Sequence, residues 1–211
     1  MFSALCKFKV VPLVKVKDLD VEDALHIAEA LSAGGLPVME LSFRRYSDSK
    51  AIRAISEKFP DFWIGAGGIL SKDQLLRVVD AKAKFAMSPG VNPDTIREAS
   101  RRNIIYAPGV CTPTDIEMII LNGSIDFQFF PAEQSGGIEM LKAIIEPFEH
   151  LPLEIYAKGS IPEDKITAYL KIPQVVAVGA EWIVDEATIR AKDWTKISES
   201  AKKARFIAEQ G

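Results

Sequence analysis

Short apolar runs alternate along this chain with longer stretches in which apolar residues return every third or fourth position. The short runs are rich in β-branched and aromatic residues and predict strands at 10–14, 38–41, 62–65, 85–87, 104–106, 127–130, 153–156 and 175–178. The amphipathic stretches predict helices at roughly 20–33, 48–58, 72–80, 93–102, 113–121, 138–148, 163–170 and 195–208. Their punctuation agrees. Ser71-Lys72-Asp73-Gln74 reads as a capping box, and Asn92-Pro93 and Thr112-Pro113 each set a capping side chain before a proline suited to the first helical position. Gly34-Gly35 closes the first helix where a left-handed residue is wanted. Eight strands separated by helices, joined by short connections, fit a (βα)8 TIM barrel in a single domain over 1–211, and strand count alone leaves a doubly wound open sheet as the alternative.

Composition narrows the function classes more than the fold. At 211 residues, with 48% hydrophobic and 26% charged positions, the chain suits one globular unit with a sizeable core. A formal charge of -3 argues against nucleic-acid binding or an anionic membrane surface. No apolar run is long enough to span a bilayer, and Met1 to Lys9 lacks the apolar core of a signal peptide, so a cytoplasmic location is expected. Cys6 and Cys111 make neither a disulfide framework nor a metal-ligand cluster, and no metal is expected. A nucleophilic Cys111 would need a base, and neither His26 nor His150 falls at a strand end.

Barrel chemistry sits at the C-terminal ends of strands, so those positions carry the functional reading. Glu40 interrupts the apolar run 38–41, where a carboxylate is costly unless it is paired or functional. Lys158 ends another apolar strand, and Lys15 follows the first. Three readings of Lys158 stand side by side. It pairs with Glu181 as a structural ion pair, or binds the distal anionic group of a substrate, or supplies a reactive amine, since burial can lower a lysine pKa.

The run Phe127-Gln128-Phe129-Phe130-Pro131-Ala132-Glu133, followed by Gly136-Gly137, resembles a signature of the KDPG/KHG aldolases. These cleave 2-keto-3-deoxy-6-phosphogluconate or 4-hydroxy-2-ketoglutarate to pyruvate and an aldehyde. In that family the strand reads Phe-Lys-Phe-Phe-Pro-Ala-Glu, and its lysine forms a Schiff base with the keto substrate. Here Gln128 stands in its place, and a carboxamide cannot form an iminium.

Matching motifs recur in order along the chain. Leu41-Ser42-Phe43-Arg44 with Glu40 resembles the family's Leu-Glu-(Val/Ile)-Thr-(Leu/Phe)-Arg segment, Gly65-Ala66-Gly67-Gly68 its Gly-Ala-Gly-Thr, and Met87-Ser88-Pro89-Gly90 its Ile-Ser-Pro-Gly. The resemblance implies that Glu40 is the general acid/base, that Arg44 binds the substrate carboxylate, and that Gly68 and Pro89 border the substrate. Gly68 replaces a threonine whose hydroxyl contacts substrate in the family. Lys158-Gly159-Ser160-Ile161 and Gly179-Ala180-Glu181-Trp182 resemble the loops that cradle the substrate phosphate there, with Glu181 in the position of a serine. An acid at that place disfavours a phosphorylated substrate unless Lys158 neutralises it.

The resemblance implies the barrel rather than the open sheet, a homotrimer, and no metal or organic cofactor. It implies an aldolase-like lyase acting on a small-molecule 2-keto acid, with altered substrate and a weakened or relocated electron sink: an iminium on Lys158 or Lys15, or Gln128 hydrogen-bonded to the enolate. Two alternatives stand beside it. One is a diverged keto-acid-binding protein, and the other a proton-transfer enzyme in which Glu40 suffices as base.

Overall fold

The computed structural model describes residues 2–16 and 18–211; Met1, the first residue of the Met1–Lys9 stretch discussed above, lies outside them. Nine strands are present among the described residues: β1 (Val10–Val14), β2 (Val38–Ser42), β3 (Trp63–Gly67), β4 (Phe85–Met87), β5 (Ile105–Ala107), β6 (Gly109–Val110), β7 (Asp126–Phe129), β8 (Glu154–Ala157) and β9 (Val175–Ala180). They form one sheet in the order β5-β4-β3-β2-β1-β9-β8-β7-β6, with every neighbouring pair parallel. The two ends of this sheet, β5 and β6, are consecutive pieces of one extended run.

The ninth strand therefore does not add a ninth stave. Pro108 lies between the two pieces and has no backbone N–H to give to a ladder. Its carbonyl still accepts from the Gln128 N–H at 2.9 Å. The N-terminal piece pairs with β4 and the C-terminal piece with β7, so the sheet returns on itself as an eight-fold barrel. The fold is the (βα)8 barrel; the strand expected at 104–106 is β5, and past Pro108, which interrupts the pairing, the run resumes as the unexpected β6.

The helices follow the strands in alternation: α1 (Val21–Ala33), α2 (Asp48–Lys58), α3 (Lys72–Asp80), α4 (Pro93–Arg102), α5 (Pro113–Leu121), α6 (Gly137–Ile145), α7 (Ile166–Leu170), α8 (Glu186–Arg190) and α9 (Trp194–Glu209). Thr112 and Asp115 make a reciprocal capping box, and Asn92 caps α4 ahead of Pro93. Ser71 caps the Gln74 N–H, but the Gln74 side chain reaches back to the Leu70 N–H rather than to Ser71, so only half of the expected box forms. The expected helix 138–148 stops at Ile145 and gives way to a 3-10 turn through Pro147, which cannot donate to the preceding turn. Similarly, 163–165 is a 3-10 turn ahead of α7. The short helix α8, capped by Asp185 on the Thr188 N–H, was not expected from periodicity because five residues show too little of it.

Strand residues are buried almost throughout, as a barrel covered by helices requires. Polar exceptions are few, and they cluster. Glu40, Ser88, Gln128 and Lys158 are all buried at or just beyond the C-terminal ends of β2, β4, β7 and β8. No helix among the described residues is long and apolar enough to cross a membrane.

Candidate active site

A cavity of about 340 Å³ opens at the C-terminal end of the barrel. Its wall brings together seven of the residues singled out from sequence: Lys15, Glu40, Arg44, Gly68, Pro89, Gln128 and Lys158. All except Glu40 and Gln128 lie just past a strand end, where a barrel presents side chains to ligand. Phe43, Leu70 and Phe130 complete an apolar flank.

Glu40 and Lys158 face each other across the barrel interior, with the intervening β1 and β9 between their strands in the sheet. Lys158 Nζ donates to Glu40 Oε1 at 2.5 Å, and the two residues are only 7% and 4% exposed. This corrects the pairing of Lys158 with Glu181 raised above. The nearer carboxylate takes the ammonium because a buried charge is stabilised most by a partner that is buried with it. Two glycines make room for this contact. A Cβ on Gly67 would stand 1.8 Å from Glu40 Oε1, and one on Gly179 would stand 2.8 Å from both Lys158 Cβ and Tyr156 Oη. The ammonium also lies 5.7 Å from the Phe130 ring centroid, within cation–π range.

Tyr156 sits one layer below Lys158 on β8. Burial pushes its phenol well above the ordinary tyrosine range, and the charge of Glu40 with a hydrogen bond to it adds to the effect. Tyr156 thus stays a neutral phenol beneath the Glu40–Lys158 pair. Sequence reasoning missed it; the two-residue alternation Tyr156, Lys158 along β8 was the available signal.

Gln128 lies in register with Tyr156 and is 1% exposed. Its amide nitrogen donates to the Ser88 carbonyl, while its Oε1 is buried without a hydrogen-bond partner. Ser88 is held in turn, donating to the Gly90 carbonyl at 2.7 Å and accepting from Tyr106 Oη at 2.7 Å. The unmatched atom of Gln128 is therefore an acceptor. An acceptor repels a developing enolate, so this arrangement works against the enolate-binding role considered for Gln128 and suits a hydroxyl group of a ligand.

Arg44 is placed by Asp48, whose carboxylate accepts from the backbone N–H groups of Arg44 and Arg45, each at 2.8 Å. Among the described residues no carboxylate pairs with the Arg44 guanidinium. Arg45, next in the chain, pairs with Asp18 and Asp48. Beyond the neighbouring strands β1 and β9, Glu181 pairs with Lys15 and accepts from the Ser160 N–H at 3.3 Å. Gly159, Ser160 and Glu181 do not line the cavity, and of the three Glu181 reaches its wall through Lys15. Cys111 donates to Ser135 Oγ at 3.1 Å, a hydroxyl rather than a base.

A family model described as "Aldolase: KDPG and KHG aldolase" matches residues 2–200. The chain belongs to the KDPG and KHG aldolase family. It is 35% identical over 197 residues to the 2-dehydro-3-deoxy-phosphogluconate aldolase of Haemophilus influenzae, covering 93% of this chain and 91% of that one. It is 35% identical over 202 residues to the KHG/KDPG aldolase of Escherichia coli K12, covering 96% and 93%. Among solved structures, the KDPG aldolase of Legionella pneumophila, with pyruvate captured as a covalent carbinolamine intermediate, superposes with a TM-score of 0.90 at 35% identity, over 97% of this chain and 98% of that one. In this member of the family Gln128 is buried on β7, and Lys158 is buried just past the end of the neighbouring β8.

Proposed function

We propose that this chain cleaves a 2-keto acid to pyruvate and an aldehyde, with Lys158 as the Schiff-base amine in place of the family lysine. One observation carries the reading: the Lys158 ammonium lies inside the cavity at 2.5 Å from Glu40, the only carboxylate in the cavity wall among the described residues. A nucleophile within hydrogen-bond reach of a base is the arrangement that amine catalysis needs. β7 and β8 are neighbours, and the cation–π contact with Phe130 shows how far a β8 lysine reaches over the β7 rim.

The steps balance with these two side chains alone. Glu40 takes a proton from the Lys158 ammonium, and the freed amine adds to the substrate's C2 carbonyl carbon. Glu40 passes protons from nitrogen to the former carbonyl oxygen, which leaves as water, so ketone and ammonium become an iminium and one water. The Glu40 carboxylate then takes the C4 hydroxyl proton. The C3–C4 bond breaks, its electron pair moves toward the iminium to give an enamine, and C4 departs as the aldehyde. Glu40 returns its proton to C3, and water hydrolyses the resulting iminium to pyruvate and the Lys158 ammonium. Arg44 grips the substrate carboxylate with its planar pair of donors throughout.

In this reading the whole chain acts as one domain, in the cytoplasm, as a homotrimer. Leu121 and Phe206 are exposed apolar residues of the kind an assembly covers. A mass in solution three times the 23.2 kDa chain would support the trimer, and a monomer mass would remove it.

Borohydride reduction in the presence of pyruvate, followed by peptide mapping, tests the mechanism. The expected result is a pyruvyl adduct on Lys158. An adduct on Lys15, or none beside a positive control from Gln128→Lys, would overturn it. Pyruvate deuterium exchange that survives Lys158→Met but not Glu40→Gln would then assign the site to non-covalent proton transfer.

A further inference from the structure

From the charge balance of the cavity, we infer that the Lys15–Glu181 pair restricts it to keto acids carrying a single negative charge, with a neutral chain beyond the keto carbon. The inference rests on reading the cavity as a keto-acid site and names the substrate class that site takes. Three cationic side chains line the wall: Lys15, Arg44 and Lys158. Two are already matched, Lys158 by Glu40 and Lys15 by Glu181. Among the described residues, Arg44 alone is left to receive an anion, and one guanidinium holds one carboxylate in a bidentate pair. A second anionic group on the substrate would find no unmatched cation among the described residues of the wall.

The rim also presents an occupied donor. Ser160, at φ 51 after Gly159 at φ 123, gives its N–H to Glu181 Oε1 at 3.3 Å. An external phosphate or carboxylate would have to displace a tethered carboxylate from both Lys15 and Ser160, and then lie beside its charge. A neutral chain meets no such competitor. The cavity offers it Ser42, the buried acceptor Gln128 Oε1, and the apolar faces of Leu70 and Phe130. A hydroxyl donating to Gln128 Oε1 would satisfy an atom that is otherwise buried without a partner.

Calorimetric titration with two five-carbon acids, 2-oxopentanoate with one charge and 2-oxoglutarate with two, tests this. Neither has a C4 hydroxyl to cleave, so binding is read without turnover. The expected result is at least tenfold tighter binding of 2-oxopentanoate by the native chain, with inorganic phosphate failing to compete. Glu181→Gln, which frees Lys15 and the Ser160 N–H, should shift the ratio at least tenfold toward 2-oxoglutarate. Lys15→Met, which leaves Glu181 uncompensated, should shift it the other way. Equal or tighter binding of 2-oxoglutarate by the native chain, a ratio unmoved by Glu181→Gln, or no binding of either acid would overturn the inference. A retained preference without any borohydride adduct would remove the covalent mechanism alone and leave this inference standing.

Discussion

Lys158 Nζ meets Glu40 Oε1 at 2.5 Å inside the barrel, so the amine proposed to attack and the group proposed to move protons form one buried ion pair. Breaking such a pair from one side strands a charge in a poorly solvated place and costs about 3–5 kcal/mol. Glu40→Gln and Lys158→Met are each expected to lower stability by roughly that amount, and the double variant by clearly less than the sum. Urea midpoints for the native chain, both singles and the double make the cycle. Additive costs would mean that the two groups do not support each other in the folded chain.

The position of the amine can be moved deliberately. Gln128 and Tyr156 are register partners on β7 and β8, and Lys158 is two residues beyond Tyr156 on the strand's inward side. In a Lys158→Met background the pyruvyl adduct should vanish, and adding Gln128→Lys should restore it on the β7 peptide. Glu40 remains in the cavity to serve either amine. Restored trapping without restored cleavage would show that the Glu40 geometry has become specific to the β8 position.

Much of this arrangement was legible in the chain, and for identifiable reasons. Glu40 and Lys158 stood out because each is a charge in an apolar run, and the strand-end rule placed them at one face of the barrel. Their partnership was not legible. The sequence offers Glu181 as a partner for Lys158, whereas the structure pairs it with Glu40, because side-chain reach across a barrel depends on which residues leave room. That room comes from Gly67 and Gly179, whose missing side chains read in sequence only as turn or strand glycines. The orientation of the Gln128 amide was equally hidden, since it depends on the Ser88 carbonyl arriving from another strand. The division of one stave at Pro108 and the five-residue helix α8 fall below the length at which periodicity speaks.

Arg44 is held by its backbone, through Asp48, while its guanidinium faces the cavity without a carboxylate partner among the described residues. A group that grips the substrate carboxylate equally before and during cleavage contributes uniform binding. Arg44→Lys should therefore raise KM by roughly 10- to 100-fold with kcat little changed, the loss expected for a bidentate charged pair reduced to a single contact. A fall in kcat at unchanged KM would instead place Arg44 in contact with charge that develops only during reaction.

The buried tyrosines set an alkaline limit on the fold. Burial pushes Tyr106 up to about 12, with its hydrogen bond to Ser88 pulling the other way. Burial and then Glu133 raise Tyr169, and burial and then Glu40 raise Tyr156. An unfolded tyrosine ionises at about pH 10, so above that value the unfolded chain releases protons that the folded chain retains. The stability these phenols contribute is fully present below about pH 10 and is lost as pH rises through their folded values. Melting temperature should fall steeply between about pH 10 and 12, and Tyr106→Phe should make that fall shallower because one retained proton is gone. Tyrosinate absorbance supplies the independent check. At about pH 11 most of the tyrosine signal should appear only when circular dichroism reports unfolding, and full ionisation in a chain that is still native would contradict the burial argument.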